Sequence, residues 1–217
     1  MNSEQLNKAI RDSLVNVMGY ADELRDLDQA LGDGDLGITV SVGAQAVIEA
    51  LEKLDPATKP ADVAKACAKA FANANPSTLA ALVAGGLLAG SRVWADKTEI
   101  GVADAAAFAK AGGESIAARG KAQLGDKTIL DAIMPAADAL AAHADNPHEA
   151  LAAAIAAADR AVAETTELQS RRGRASWLQE RSIGLQDPGM TAFLRFLQSW
   201  QAANDRPGVD QTDGALP

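Results

Sequence analysis

The sequence predicts an all-α protein organised as one domain, and three observations carry that reading. Apolar residues recur at intervals of three and four through most of the chain, the spacing of a helix face. The composition is 48% hydrophobic but only 4% aromatic, and Ala and Leu outnumber the β-branched and aromatic residues that favour strands. At 217 residues the chain is long enough for one sizeable core, while a second independent domain would be cramped.

Leu6, Ile10, Leu14 and Val17 define a first helix whose stripe continues through Leu24 and Leu27 into the loop that follows. Val40, Val47, Leu51 and Leu54 suit a second helix, opened after Gly37 and ended by Asp55 and Pro56. A third starts near Pro60, a residue pre-set for the first helical turn, and carries Val63, Cys67, Ala70, Phe71 and Ala74. From Pro76 to Trp94 the pattern is apolar nearly all round, with Gly85, Gly86 and Gly90 interspersed, which predicts a buried central helix. Ala-rich helices are expected near 102–118, 128–144 and 147–168, and an eighth is marked by Met190, Phe193, Leu194, Leu197 and Trp200. Residues 1–203 are thus read as the domain, and 204–217, which lack periodicity, as a disordered tail.

Bulk properties exclude several classes of function. A net charge of −9 argues against a nucleic-acid binder, because phosphate-backbone binding needs a dominant basic surface. The single cysteine, Cys67, excludes an intramolecular disulfide and is most simply a small core hydrophobe. The amino terminus shows no basic stretch followed by an apolar one, and no window approaches 18 uninterrupted apolar residues. The expectation is a soluble, cytoplasmic protein with no membrane partner.

The stretch LDQALGDGDLGIT places Asp28, Asp33 and Asp35 within eight residues, with Gly32, Gly34 and Gly37 between them. Two ionised carboxylates about 4 Å apart repel by roughly 4 kcal/mol at an effective dielectric near 20. A solvated turn would account for Asp and Gly on local grounds alone. An EF-hand loop would need an acidic ligand at its twelfth position, which counted from Asp33 is Ala44. A magnesium site fits better, since Mg²⁺ is held by a few carboxylates together with substrate phosphates. The helix expected after Gly37 adds N–H groups suited to an anion.

Two other interruptions, 119–128 and 170–189, are polar, glycine-bearing and rich in Arg, and the second is long for a structureless connection. Arg171, Arg172, Arg174 and Arg181 would individually pass for a solvated basic face. Arg174, between Gly173 and Ala175, is the one suited to a close, bidentate approach to phosphate. The segment LGDKT does not satisfy a Walker A motif, because Asp126 precedes Lys127 and no strand leads in. His143 and His148 are separated by Pro147 and read as surface residues. They leave no basis for a Ser/His/Asp or Cys/His nucleophile set.

Taken together, LDQALGDGDLG, RGKAQLGDKTILDAIMPA and RRGRASWLQERSIGLQDPG resemble three signature segments of the nucleotide-binding L subunit of dihydroxyacetone kinases, a domain shared with fatty acid kinases. The resemblance extends to about Ala203 and implies an up-and-down antiparallel barrel of eight helices, with nucleotide bound by loops at one end. It implies that Asp28, Asp33 and Asp35 bind two Mg²⁺ ions that hold the phosphates of ATP or ADP. Gly37, Ile38 and Thr39 would approach the phosphates or ribose, and Gly120 and Ile129 would border the adenine. Arg174 would reach a phosphate, and Asp187, Pro188 and Gly189 would close the pocket.

In that family a separate K subunit holds the ketone, so this chain would be the phosphotransferase half of a two-component kinase. The donor would be ATP, or bound ADP recharged by a phosphocarrier subunit. Two departures stand out. Leu36 occupies a position where the family carries histidine, and the segment Asn73 to Ala80 replaces a glycine-rich turn. Pro76 removes a backbone donor there, and the hydroxyls of Ser77 and Thr78 would substitute for it. These changes point to a divergent member acting on a four-carbon or larger ketose. The alternative is a non-catalytic, nucleotide-loaded module that regulates a partner.

Overall fold

A computed structural model describes residues 1–204; the tail expected to be disordered lies almost wholly outside them. Nine α-helices form among the described residues: α1 (Ser3–Val17), α2 (Ala21–Leu31), α3 (Leu36–Glu52), α4 (Pro60–Ala74), α5 (Thr78–Val93), α6 (Val102–Gly120), α7 (Ile129–Ala142), α8 (Pro147–Thr166) and α9 (Pro188–Asn204). Eight were expected. The difference is one break: the first stripe is bent by a 3-10 turn at Met18–Tyr20, which separates α1 from α2 while both keep apolar faces inward.

Each of α3 to α8 packs on the next, and α1 packs on both α3 and α9, closing an up-and-down ring. Three apolar clusters fill it. One gathers Leu6, Val47, Leu51, Val63, Cys67, Trp94 and Ile100; a second gathers Ala132, Ala154, Ala158, Met190 and Leu194. The third, Val17, Leu24, Leu36 and Val40, lies where α1, α2 and α3 meet. Small residues set several of these approaches: a Cβ on Gly90 would stand 2.7 Å from the Phe108 ring.

Two further expectations change. The helix predicted to be wholly buried, α5, buries Ala80, Ala84, Gly85, Gly86, Gly90 and Ser91 but leaves Ala81, Leu88 and Val93 exposed. An outer wall of a ring has one face toward its neighbours and one toward solvent, whatever its composition. The segment after α8 is not wholly irregular, since Arg174–Ser182 winds as 3-10 turns kinked at Gln179 (φ 52°). Cys67 is buried, and burial pushes its thiol up to about 12, as befits a core residue. His143 and His148 are exposed. No helix among the described residues is long and apolar enough to cross a membrane.

In an up-and-down ring alternate connections emerge at the same end. The α2–α3, α4–α5, α6–α7 and α8–α9 connections therefore share one end of the molecule, and every residue singled out in the sequence as a candidate belongs to them or to the helix turns beside them.

Candidate functional site

The aspartate loop hangs between the last turn of α2 and the first of α3. Gly34 adopts φ +74°, a left-handed conformation open to glycine at little cost, which turns the chain back so that the three aspartates converge. Among the described residues, Asp28, Asp33 and Asp35 are the one acidic cluster with the geometry to hold a metal, with one ligand atom from each lying within 4.8 Å of the others. Burial pushes the Asp28 carboxyl above its ordinary range. The Leu36 N–H, donated at 3.3 Å, opposes that rise, and the neighbouring charges of Asp33 and Asp35 add to it. Such a site favours a cation, because one would relieve both the repulsion and the lost hydration. The all-oxygen donor set suits a hard divalent ion such as Mg²⁺.

Leu36, the departure from the family pattern, packs beneath this loop with Val17, Leu24 and Val40. Gly37 is required by packing. A Cβ there would sit 2.2 Å from the Ala21 carbonyl oxygen, so only glycine lets the start of α3 lie this close to α2. Ile38, one residue on, is exposed at the rim. Thr39 is buried; its hydroxyl accepts a hydrogen bond from the Asn75 amide at 3.1 Å, which draws the α4–α5 connection toward the head of α3. Ser77 then caps α5, its hydroxyl oxygen accepting from the Ala80 N–H at 3.0 Å, while Thr78 is exposed in the first turn.

On the far side of the aspartates, the Arg174 guanidinium pairs with the Asp33 carboxylate. This ion pair joins the first and third signature segments and brings together two residues singled out independently. Arg172 pairs instead with Asp126 at 2.9 Å. Gly120 ends α6 and Ile129 opens α7; Gly189 lies against Ile129, where an added Cβ would come within 3.6 Å of the Ile129 Cβ. Asp187 caps α9 by accepting from the Met190 N–H at 2.8 Å, and burial pushes its carboxyl up to about 6 despite that bond and the nearby Lys127 charge. Pro188 is buried in the first turn of α9. Ile129 thus stands beside Gly189, Gly120 lies nearest the Leu82 side chain, and Asp28, Asp33 and Asp35 stand with Arg174.

What sequence reasoning missed is the burial of Asp126, Lys127 and Asp131. Lys127 is 1% exposed, and its ammonium donates to the carbonyls of Thr166, Leu168 and Ser182 at 3.0, 2.9 and 2.8 Å. Burial raises the Asp126 carboxyl, yet the Arg172 guanidinium, the Gln123 N–H and the Arg171 charge outweigh it and hold the group below its ordinary value. Asp131 accepts from the N–H groups of Gly125 and Thr128 at 2.6 and 2.8 Å. The available signal was the pair Thr128 and Asp131, a capping-box spacing that marks a helix start rather than a phosphate loop.

The DAK2 domain family matches residues 30–202. The chain is 32% identical over 214 residues to the ADP-binding subunit DhaL of PEP-dependent dihydroxyacetone kinase 2 from Listeria innocua, covering 94% of this chain and 93% of that one. It is 30% identical to the corresponding Escherichia coli subunit, over 81% of this chain and 84% of the relative. An L-erythrulose 1-kinase of Mycolicibacterium smegmatis is 32% identical over 82% of this chain, which spans only 31% of that longer protein. Among solved structures, the dihydroxyacetone kinase from C. freundii in complex with AMP-PNP and Mg²⁺ superposes with a TM-score of 0.75 at 20% identity, covering 95% of this chain and 35% of that one, a likeness of fold. By the extent and identity of these matches, the chain belongs to the DAK2 domain family, as a DhaL-like member.

Proposed function

We propose that this chain is the nucleotide-binding subunit of a two-component ketose kinase, passing a phosphoryl group from a magnesium-bound adenine nucleotide to a small hydroxyketone on a separate K-type subunit. The observation that carries the reading is the convergence of Asp28, Asp33 and Asp35 with Arg174 laid against them. Phosphoryl transfer asks a protein for positioning and charge stabilisation more than for a nucleophile, and this end of the barrel supplies those two things.

Asp28, Asp33 and Asp35 would hold two Mg²⁺ ions. When bound, such ions neutralise phosphate charge and orient the transferred group. Arg174, freed from Asp33 as cations take over that carboxylate, would turn its guanidinium to a phosphate oxygen. The first-turn amides of α3 at Gly37 and Ile38, with the hydroxyls of Thr39, Ser77 and Thr78, would line the phosphate and ribose side. Gly120 and Ile129 would border the adenine, with Asp187, Pro188 and Gly189 closing that edge.

The names of the Listeria and Escherichia relatives, both ADP-binding and PEP-dependent, support a bound ADP recharged by a phosphocarrier as one donor, with free ATP as the other. The likeness to an L-erythrulose kinase supports a four-carbon acceptor. A small, soluble sugar as acceptor supports a cytoplasmic setting for the reaction. The test mixes the chain with a K-type partner, Mg²⁺ and ATP or a phosphocarrier, and screens short ketoses for phosphorylation. Turnover is expected with the wild type and lost with Asp33→Asn; turnover unchanged in that variant would refute the metal-site reading.

A further inference from the structure

The α8–α9 connection carries Arg174, yet its form is dictated from beneath by a buried polar knot. An ammonium has three donors, and Lys127 places all three on carbonyls at the two stems of the connection: Thr166 and Leu168 on the entering side, Ser182 on the leaving side. The stems are joined a second time by the Gly184 N–H, which donates to the Thr166 carbonyl at 2.9 Å. A third tie is Ser182, whose hydroxyl accepts from the Ser170 N–H and donates to the Gln179 carbonyl, at 2.9 and 2.6 Å. Asp126, next to Lys127, holds the entering stem through the Arg171 N–H at 3.0 Å and the Arg172 guanidinium.

Above these ties the arc from Gly173 to Glu180 is largely exposed and carries Trp177, which is 81% exposed. Its path turns at Gly173 (φ +63°) and Gln179. The arc therefore has its shape fixed at its base and not by burial of its own side chains. A lysine is rarely buried this deeply unless fully bonded, and this one takes an unfavourable left-handed backbone (φ 60°) to reach its partners.

We infer that Lys127 is a positioning residue for nucleotide binding: by clamping both stems it sets the arc so that Arg174 stands over the aspartates. This rests on the proposed role of Arg174 and adds to it a group that touches no ligand.

The experiment uses the full chain with 5-fluorotryptophan at its three tryptophans and the non-hydrolysable probe Mg·AMP-PNP. Lys127→Met is expected to weaken binding about tenfold, close to the effect of Arg174→Ala, because either change removes the same charge-assisted contact. In the Arg174→Ala background the same Lys127→Met change is expected to cost less than about twofold, the non-additivity of two residues acting through one contact. The Trp177 fluorine signal should shift and sharpen while those of Trp94, which is buried, and Trp200, which packs partly buried against the same core cluster, stay in place.

Equal costs of Lys127→Met with and without Arg174, or an unmoved Trp177 signal in a folded variant, would overturn the inference and leave the site reading intact. Unchanged binding by Arg174→Ala alone would overturn both. If Lys127→Met loses the Trp94 and Trp200 signals of the folded protein, Ser182→Ala decides by the same cycle. That milder change, from the loop side, is expected to show a smaller loss with the same non-additivity, and additivity there would overturn the inference.

Discussion

The α2–α3 and α6–α7 connections are near twins in composition and opposites in physics. LGDGDLG sets three glycines, and LGDKTILD a glycine and a threonine, among two aspartates each, at the same end of the same ring. In the first, the carboxylates face one another, and Asp28 is held above its ordinary pKa range. In the second, each carboxylate is saturated by backbone N–H groups or an arginine, and Asp126 is held below its range. Composition does not distinguish a site from its scaffold. The distinction is whether the protein itself satisfies the charge.

That contrast is broken most severely by neutralising the first loop. Asp28→Asn is expected to weaken Mg²⁺-dependent nucleotide binding a thousandfold or more, about 4 kcal/mol, as seen by calorimetry. Its urea midpoint without metal should not fall, since the change removes repulsion. The second loop should behave in reverse. Asp131→Ala orphans two partly buried N–H groups and is expected to cost about 2 kcal/mol of folding stability by urea unfolding, the effect on affinity following only from misplacement of α7.

Asp187 tests the boundary between the two behaviours. Its folded value of about 6 lies above the ordinary 3.8, so the carboxyl binds its proton more tightly when folded. The stability it contributes is complete below about pH 4 and is lost as pH rises through 6. Asp187→Asn keeps a side chain able to cap α9 and removes the titration. Relative to wild type it should gain on the order of 2 kcal/mol between pH 4 and pH 7, read from urea midpoints across that range. A flat difference would mean that the carboxyl is not desolvated. Smallest of all is Arg172→Ala, whose guanidinium is nearly half exposed; thermal unfolding should register at most about 1 kcal/mol.

Much of this was legible beforehand. The stripes at Leu6 to Val17 and Val40 to Leu51 located helices because one face of each is buried and periodicity records that face. The aspartate cluster was legible because three like charges crowded among glycines stand out in a sequence. The bend at Met18–Tyr20 was not, since a single 3-10 turn barely disturbs a helical stripe. The exposure of Leu88 and Val93 was hidden because apolarity says what can be buried, not what neighbours are there to bury it. Lys127 was passed over for a related reason. Its three acceptors are backbone carbonyls 39 to 55 residues away, and carbonyls leave no mark on a sequence.

The ring closes where α9 meets α1 and α2, and across that seam the Arg195 guanidinium grips Glu23, with Nε to Oε2 at 2.8 Å. Other neighbours in the ring are mostly neighbours in the chain and can associate early, whereas this junction spans nearly the whole sequence and is expected to form late. The aspartate loop hangs from one side of the seam and the Arg174 connection leads into the other. Folding order and ligand competence are thereby coupled: a chain stalled one step short of closure has an open ring and no partner for its aspartates. Bound nucleotide should then act as a kinetic lock, slowing unfolding in stopped-flow measurements while leaving the refolding rate untouched.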